Sequence, residues 1–166
     1  MGTLLKYGFM FVVLVLVQVL IFNQVHVGGY INPFIYILFI ILLPVNTPQY
    51  LMLFTGFLLG LAVDVFSNSP GMHASATVFI AFIRPSVIRA ISNREEDRHN
   101  YPGLKQNSFS WFLFYTAIMV FLHHLVFFYL EIFTFTHFLS TLLKVVVSSL
   151  FSIFVIVLSQ FLIFRE

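Results

Sequence analysis

Long stretches without charge are the feature that most restricts what this chain can fold into. The first covers residues 7–27, which contain no Lys, Arg, Asp or Glu. A helix needs about 20 mostly apolar residues to cross the ~30 Å hydrocarbon layer of a bilayer. Charged residues make up 8% of the whole chain, whereas soluble domains carry roughly 25%. The chain is therefore predicted to be an integral membrane protein, which excludes a soluble enzyme, a nucleic-acid binder and a disordered segment.

Six hydrophobic segments are candidates for membrane spans, at residues 7–27, 33–43, 49–66, 73–91, 110–130 and 138–164. The first follows Lys6 as a signal peptide would, but it lacks a small-residue cleavage site and is predicted to be retained. The second is short for a crossing, because Pro44 interrupts it. A tilted half-span, a re-entrant element and a full span that includes residues 29–32 all remain open for it.

The basic side chains predict the orientation of these segments. They flank the N-terminus, the hydrophilic loop 92–108 and the C-terminus, as Lys6, Arg89, Arg94, Arg98, Lys105 and Arg165. The turns at 28–33, 67–72 and 131–137 contain no Lys or Arg. Because basic residues concentrate on the cytoplasmic side of membrane proteins, both termini and the 92–108 loop are predicted to be cytoplasmic. The fold class is thus a single-domain, all-α membrane protein of six transmembrane helices over residues 1–166.

Small residues form matching faces on the third and fourth segments. Gly56, Gly60 and Asp64 are spaced four apart and share one helix face. Such a face allows a neighbouring backbone to approach closely. Its expected partner is the face of the fourth segment that carries Ala74, Thr77, Ala81 and Arg84. Asp64 could orient the 67–72 turn or meet a partner protein, or it could be a wetted interfacial residue that caps local backbone amides.

Arg84 and Lys144 lie inside predicted spans, where a charge costs roughly 2.5–3.5 kcal/mol on insertion scales. Arg84 and Asp64 are at different depths, so no ion pair is expected between them. Arg84 is expected to snorkel to the inner headgroups, with Pro85 allowing the helix to bend. Lys144 lies near the outer end of the sixth segment, where Glu131 is a plausible counter-charge. A structural role for this pair is favoured over proton coupling.

Hydroxyl side chains form a stripe along the sixth segment. Because hydroxyls in lipid gain by bonding to another helix, this stripe is expected to face protein. Its members are Thr141, Lys144, Ser148, Ser152 and Ser159.

The adjacent His123 and His124 are the strongest candidates for chemistry. Only His124 and Glu131, seven residues apart, share a helix face, and two ligands do not make a catalytic zinc site. Ordinary interhelical hydrogen bonding is favoured over metal binding. The chain has no cysteine, and no phosphate-binding loop or nucleophile triad is present. Neither a metal, a cofactor nor an enzymatic activity is predicted.

The hydrophilic loop at residues 92–108 carries both acidic and basic side chains. It is either a solvated connection or a protein contact.

The stretch from the third segment into the fourth resembles a known family. Residues 60–74 read GLAVDVFSNSPGMHA, followed by AFIRP at 81–85, the His123–His124 pair and LEIF at 130–133. This combination is similar to the rod-shape-determining protein MreD, in the branch found in Bacteroidota. The resemblance covers the whole chain in size and span number.

That resemblance implies a non-enzymatic scaffold of the cell-elongation (rod) machinery in the bacterial inner membrane, which helps to control cell shape and peptidoglycan synthesis. The implied partner is an MreC-like protein with a single membrane helix. Through that partner the scaffold would connect indirectly to RodA, a class B penicillin-binding protein and MreB. Membrane lipid is the other implied contact, and no nucleic acid is involved. The implied fold is similar to the six-helix substrate-binding subunits of energy-coupling-factor transporters. The residues expected to bind a partner or to pack are Gly56, Gly60, Asp64, Asn68, Pro70, Gly71, Arg84 and Pro85.

A vitamin-binding transporter subunit is the main alternative. It would need a polar pocket near the outer surface and a small-residue stripe on the first span for docking. The first span offers Gly8 and otherwise bulky residues, which disfavours this alternative. The outward positions of Asp64, Glu131, Lys144 and the two histidines keep it open.

Overall fold

Helices account for the regular structure of the chain. The computed structural model describes residues 2–24, 31–92, 101–133 and 138–163. Five helices within this part are long and apolar enough to cross a membrane. The elements are α1 (Thr3–Leu20), a 3₁₀ turn (Phe22–Gln24), α2 (Leu38–Leu42), α3 (Gln49–Ser67), α4 (Met72–Ile91), α5 (Phe109–Ile132) and α6 (Phe138–Ile163). The prediction of an all-helical chain is confirmed, and the length and apolar character of these helices are compatible with the predicted membrane spans.

The ends of the long helices follow local signals in the sequence. α3 ends at Asn68, whose left-handed backbone (φ 53°) is tolerated best by Asn and Gly. Gly71, also left-handed at φ 80°, precedes α4. The Ser108 side chain accepts a hydrogen bond from the Trp111 N–H and so caps α5. The bounds of α3 to α6 consequently agree with the predicted spans to within two residues.

The second predicted span differs from the prediction. Its only helix is the five-residue α2, so residues 33–43 are not a helix of spanning length. Pro33 and Pro44 bound the segment, and proline at either end prevents the helix from being extended. The segment is instead buried among the other helices, and Tyr36, Ile37, Ile40 and Ile41 are completely inaccessible. Because Asn32 and Leu42 line cavities at opposite ends of the bundle, the segment is not re-entrant but follows a mostly non-helical path through the interior.

Polar side chains of α1 and α6 satisfy the non-helical backbone of this segment. The hydroxyls of Ser148 and Ser152 accept hydrogen bonds from the backbone N–H groups of Asn32 (3.1 Å) and Phe34 (3.0 Å). Gln18 accepts from the Ile35 N–H at 2.8 Å and donates to the Pro33 carbonyl at 3.1 Å. Irregular backbone at membrane depth is tolerated only where protein supplies such partners. The expectation that the α6 hydroxyl stripe faces protein is confirmed at these two serines.

The helices define two ends of the bundle. At one end the start of α1, residues 101–106 and the end of α6 surround a common cavity; we call this the loop end. At the other end the Asn23 side chain, just after α1, donates to the Ser67 hydroxyl at the end of α3 (2.7 Å). We call this the turn end, because the 67–71 turn and Glu131 lie there. The segment 31–43 runs from the turn end toward the loop end, antiparallel to α3.

The exterior of the bundle is apolar while much of its polar content is inside. Large hydrophobic side chains are exposed on every long helix, including Phe9, Phe54, Phe82, Phe114 and Phe154. Buried polar side chains include Gln18, Asp64, His73, Arg84, His123, His124 and Gln160. Such a surface is suited to lipid rather than to water, because a soluble domain covers itself with polar groups.

Candidate functional site

The glycine face of α3 packs directly on α4. A Cβ built on Gly56 would lie 3.3 Å from the Cβ of Ala81, and one on Gly60 would lie 2.6 Å from the backbone N of Ala74. The second distance is shorter than real side chains allow. The predicted pairing of the two small-residue faces is therefore confirmed. Both glycines are buried between α3 and α4, where a partner protein does not reach them.

Asp64 closes the same interface at the turn end. Its carboxylate is 3% exposed and accepts hydrogen bonds from the Ser69 hydroxyl (2.9 Å), the His73 N–H (3.0 Å) and the Ala74 N–H (2.9 Å). The first N–H groups of a helix have no partner within the helix, and they carry its partial positive charge. Asp64 thus caps α4 from the neighbouring helix. Capping was one of the two sequence interpretations, but the carboxylate is buried rather than wetted.

The turn between α3 and α4 carries three of the predicted residues. Asn68 ends α3 and is exposed, with its N–H bonded to the Asp64 carbonyl. Pro70 is exposed, and a Cβ on Gly71 would meet nothing within 4 Å. Gly71 is nevertheless required by its positive φ rather than by space. These residues shape the turn that brings the α4 amides to Asp64.

Arg84 does not snorkel to the headgroups, and that prediction is wrong. Its side chain is 1% exposed and donates through Nε to the Tyr115 hydroxyl at 2.9 Å. The two terminal nitrogens donate to the backbone carbonyls of Leu43 and Pro44. Those carbonyls follow the short helix α2, so they have no helical partner of their own. The broken second segment therefore creates an internal acceptor site for the guanidinium, which sequence reasoning could not anticipate.

Arg84 and Asp64 each bind their own set of backbone groups. The absence of an ion pair between them was predicted from their different depths. Pro85 lies inside α4, which continues to Ile91.

A buried cluster of aromatic and histidine side chains surrounds Tyr36. Its hydroxyl lies 2.9 Å from Nδ1 of His73 and 2.7 Å from Nε2 of His123. A hydroxyl donates one hydrogen bond, so one ring nitrogen must accept that bond while the other donates to the oxygen. Thr77 approaches the same hydroxyl at 3.4 Å. Tyr36 and His73 were not among the predicted site residues. A single Tyr or His in an apolar run has no characteristic spacing to other polar residues that would indicate a site.

His124 makes a separate set of contacts. Its Nε2 lies 3.1 Å from the Ser152 hydroxyl of α6, and its Nδ1 lies 2.8 Å from the Val120 carbonyl. The interhelical hydrogen bonding expected from the sequence is confirmed for His124, which bonds to α6, whereas His123 bonds to Tyr36 in the irregular segment. Within the described ranges, His, Asp and Glu side chains form no group of three that could hold a metal ion.

Lys144 and Glu131 form the predicted ion pair. The Lys144 ammonium lies 2.9 Å from a Glu131 carboxylate oxygen and 4.5 Å from the centre of the Phe128 ring. The pair joins the end of α5 to the first turns of α6. Its partly exposed position at the turn end is typical of an interfacial contact.

A polar cavity of about 490 Å³ opens at the turn end. Its polar lining consists of Asn23, Gln24, Asn32, Ser67, Asn68, Ser69, His73 and Glu131. Aromatic rings, among them Phe34 and Phe127, form its apolar walls. Of the polar residues singled out from the sequence, Asn68 and Glu131 line the cavity. Asn23 and Asn32 were missed, although asparagines at the ends of apolar runs are a usable signal for such a site.

A second surface feature is an apolar groove of about 600 Å³ between α5 and α6, in the half of the bundle toward the turn end. We call it the α5–α6 groove. It is lined by Leu125, Val126, Tyr129, Leu130, Phe133, Phe138 and Leu142. Such a concave apolar surface can hold an apolar helix or a lipid chain.

α1 offers no comparable close-packing surface along its described length. A Cβ on Gly8 would meet nothing within 4 Å, and the exposed residues around it are large: Leu5, Phe9, Val12 and Leu16. The docking stripe required by the transporter alternative is therefore not found there.

No protein-family model, curated protein or solved structure matches the chain. Its function has to be inferred from the residues and their geometry.

Three arginines belong to the charge pattern that predicts the orientation but lie outside the described residues: Arg94, Arg98 and Arg165.

Proposed function

We propose that this protein is a multi-pass scaffold of the cell-elongation machinery in the bacterial inner membrane. In this proposal it binds the single membrane helix of an MreC-like partner in the α5–α6 groove, and its action is recognition without turnover. The observation that carries the proposal is the groove itself, which is concave, apolar and about 600 Å³ in volume. The identity of the partner rests on the resemblance of residues 60–85 to MreD.

Physical chemistry supports a groove rather than a flat face as the recognition surface. Lipid tails are as apolar as leucine, so a membrane helix gains by close packing and not by leaving lipid. A concave wall formed by Leu125, Leu130 and Leu142 offers more contact to a helix than the convex surface of α1 does. The intramembrane Asp64 and Arg84 are bound to backbone groups of this chain, which suits a scaffold.

The proposed orientation places the loop end in the cytoplasm. Lys6 and Lys105 lie at that end, and the positive-inside rule favours the cytoplasm for them. The α5–α6 groove then lies in the outer half of the membrane. An MreC-like helix in it would lead directly into a periplasmic domain, through which RodA and a penicillin-binding protein would be reached.

Filling the groove tests this proposal. Val126 lines the groove, while Val12 is exposed on α1 and is not among the lining residues. Val126→Trp is expected to lower co-purification of an MreC-like protein at least tenfold, because the indole occupies the space of the partner helix. Val12→Trp is the matched control and should retain co-purification. Equal retention by both folded variants would reject the groove as the binding surface.

The turn-end cavity favours a second candidate function, that of a vitamin-binding transporter subunit. Its size of about 490 Å³ lies within the range of small-molecule sites, roughly 300–1,000 Å³. Its asparagine and serine side chains could bind a polar ligand. Mass spectrometry of the protein purified from native membranes distinguishes the two functions. A stoichiometric small molecule that is lost in Asn32→Leu would support the transporter subunit, whereas an MreC-like polypeptide would support the scaffold.

A further inference from the structure

The loop end contains a cavity that the proposed scaffold role does not use. It has a volume of about 410 Å³ and lies between the start of α1, residues 101–106 and the end of α6. Its lining is formed by Lys6, Tyr7, Met10, Leu42, Tyr101, Gly103, Lys105, Gln106 and Gln160. We call it the loop-end cavity.

Gln160 is the unusual member of this lining. Its side chain is 1% exposed, yet neither its amide nitrogen nor its amide oxygen has a hydrogen-bond partner among the described residues. Buried polar groups are nearly always paired, so an unpaired one indicates a missing partner. The amide faces the loop-end cavity, since it is one of the groups that line it. A ligand in the cavity would supply both the acceptor and the donor that the amide lacks.

The charges of the lining indicate the kind of ligand. Lys6 and Lys105 both contribute, and no Asp or Glu is among the lining residues that the structure describes. The phenol groups of Tyr7 and Tyr101 add further possible donors. The Lys6 ammonium and the phenol donors around a partly enclosed polar space favour an anion, and a phosphate is the common anion at this depth of a membrane.

We propose that the loop-end cavity binds the headgroup of an anionic phospholipid that carries a free hydroxyl, such as phosphatidylglycerol. Lys6 binds the phosphate. The Gln160 amide donates to a phosphate oxygen and accepts from the glycerol hydroxyl, which satisfies both of its polar atoms.

The surface beside the cavity fits a lipid better than a free anion. Leu5, Phe9 and Phe161, sequence neighbours of the lining residues, are 66%, 65% and 50% exposed. Acyl chains can lie along this apolar surface while the headgroup occupies the polar space. A soluble phosphate would leave the same surface unused.

Native mass spectrometry of the full chain in detergent tests the site, after delipidation and addition of phosphatidylglycerol or phosphatidylcholine at equal concentration. The expected result is at least tenfold more retained phosphatidylglycerol than phosphatidylcholine. Lys6→Gln should lower that retention at least fivefold, and Gln160→Leu should also lower it. Arg89→Gln is the matched control, because Arg89 is a basic, exposed residue on the last turn of α4 that does not line the cavity.

Three results would overturn the proposal. The first is equal retention of the two lipids, and the second is an equal loss in Arg89→Gln, since general surface charge would then explain binding. The third is displacement of phosphatidylglycerol by millimolar inorganic phosphate, which would assign the cavity to a soluble anion. If Gln160→Leu does not fold, Gln160→Glu serves instead: it keeps the side-chain size and should abolish retention by repelling the phosphate.

Discussion

Single polar residues inside this membrane protein act on the backbone of neighbouring segments. Asp64 of α3 binds the first amides of α4, and Arg84 of α4 binds the carbonyls that follow α2. Both residues stand out in the sequence as charges in apolar runs. For Asp64 the sequence also points to a role, because a tight turn follows it directly. For Arg84 it does not, since its acceptors lie about 40 residues away in a segment whose path is irregular.

Removing the Asp64 carboxylate should destabilise the fold. Hydrogen bonds to charged groups contribute roughly 1.5–3 kcal/mol each, and Asp64→Ala leaves three donors, including two α4 amides, without that acceptor. We expect a loss on the order of 3 kcal/mol, measured as a lower midpoint of thermal unfolding in detergent. Ser75→Ala is the control, because that exposed hydroxyl bonds only to the Gly71 carbonyl. An unchanged midpoint together with lost partner binding would instead assign Asp64 to an interface.

At the level of elements, the chain combines regular helices with one irregular segment. The apolar runs, turn residues and small-residue spacing are local signals, and they predict α3 to α6 and the contact between α3 and α4. The path of residues 31–43 depends on Gln18 of the preceding helix and on Ser148 and Ser152, which are 116 and 118 residues away from the amides they bind. No local pattern encodes those contacts. The turn-end and loop-end cavities are bounded by residues of this segment and of several helices. Their linings were therefore only partly predictable from local patterns.

The contact between α3 and α4 should tolerate no side chain at position 60. A Cβ there would lie 2.6 Å from both the Ala74 nitrogen and the His73 carbonyl oxygen, and backbone atoms cannot move aside as a flexible side chain can. Gly60→Ala is therefore expected to destabilise the protein by about 1–3 kcal/mol, the usual range for overpacking. Gly8→Ala is the matched control, since its Cβ would meet nothing within 4 Å. It should be neutral or slightly stabilising, because Ala favours helices.

Thermal unfolding of the two glycine variants in the same detergent makes the comparison. A Gly60→Ala protein as stable as Gly8→Ala would mean that α3 and α4 do not pack this closely at position 60. Bulkier replacements at position 60 would act on folding before they act on any partner, so they are poor probes of assembly.

For the molecule as a whole, the proposed function requires that the two ends of the bundle face different compartments. The 67–71 turn lies at the turn end and residues 101–106 at the loop end, and the basic residues favour the cytoplasm for the loop end. The irregular segment 31–43 is essential to this arrangement. It returns the chain from the turn end to the loop end before α3 begins, which keeps the number of crossings before the 92–108 loop even.

Cysteine labelling can test this orientation directly, because the natural chain contains no cysteine. Pro70→Cys places a thiol at the exposed turn end, and Gln106→Cys places one at the exposed loop end. In intact spheroplasts, a membrane-impermeant maleimide is expected to label the cysteine at position 70 and to leave the one at position 106 unmodified until the membrane is permeabilised. The reverse pattern would turn the α5–α6 groove toward the cytoplasm, where an MreC-like helix could not lead from it into the periplasm. Labelling of both positions in sealed spheroplasts would mean that α4, the helix that separates them, does not cross the membrane.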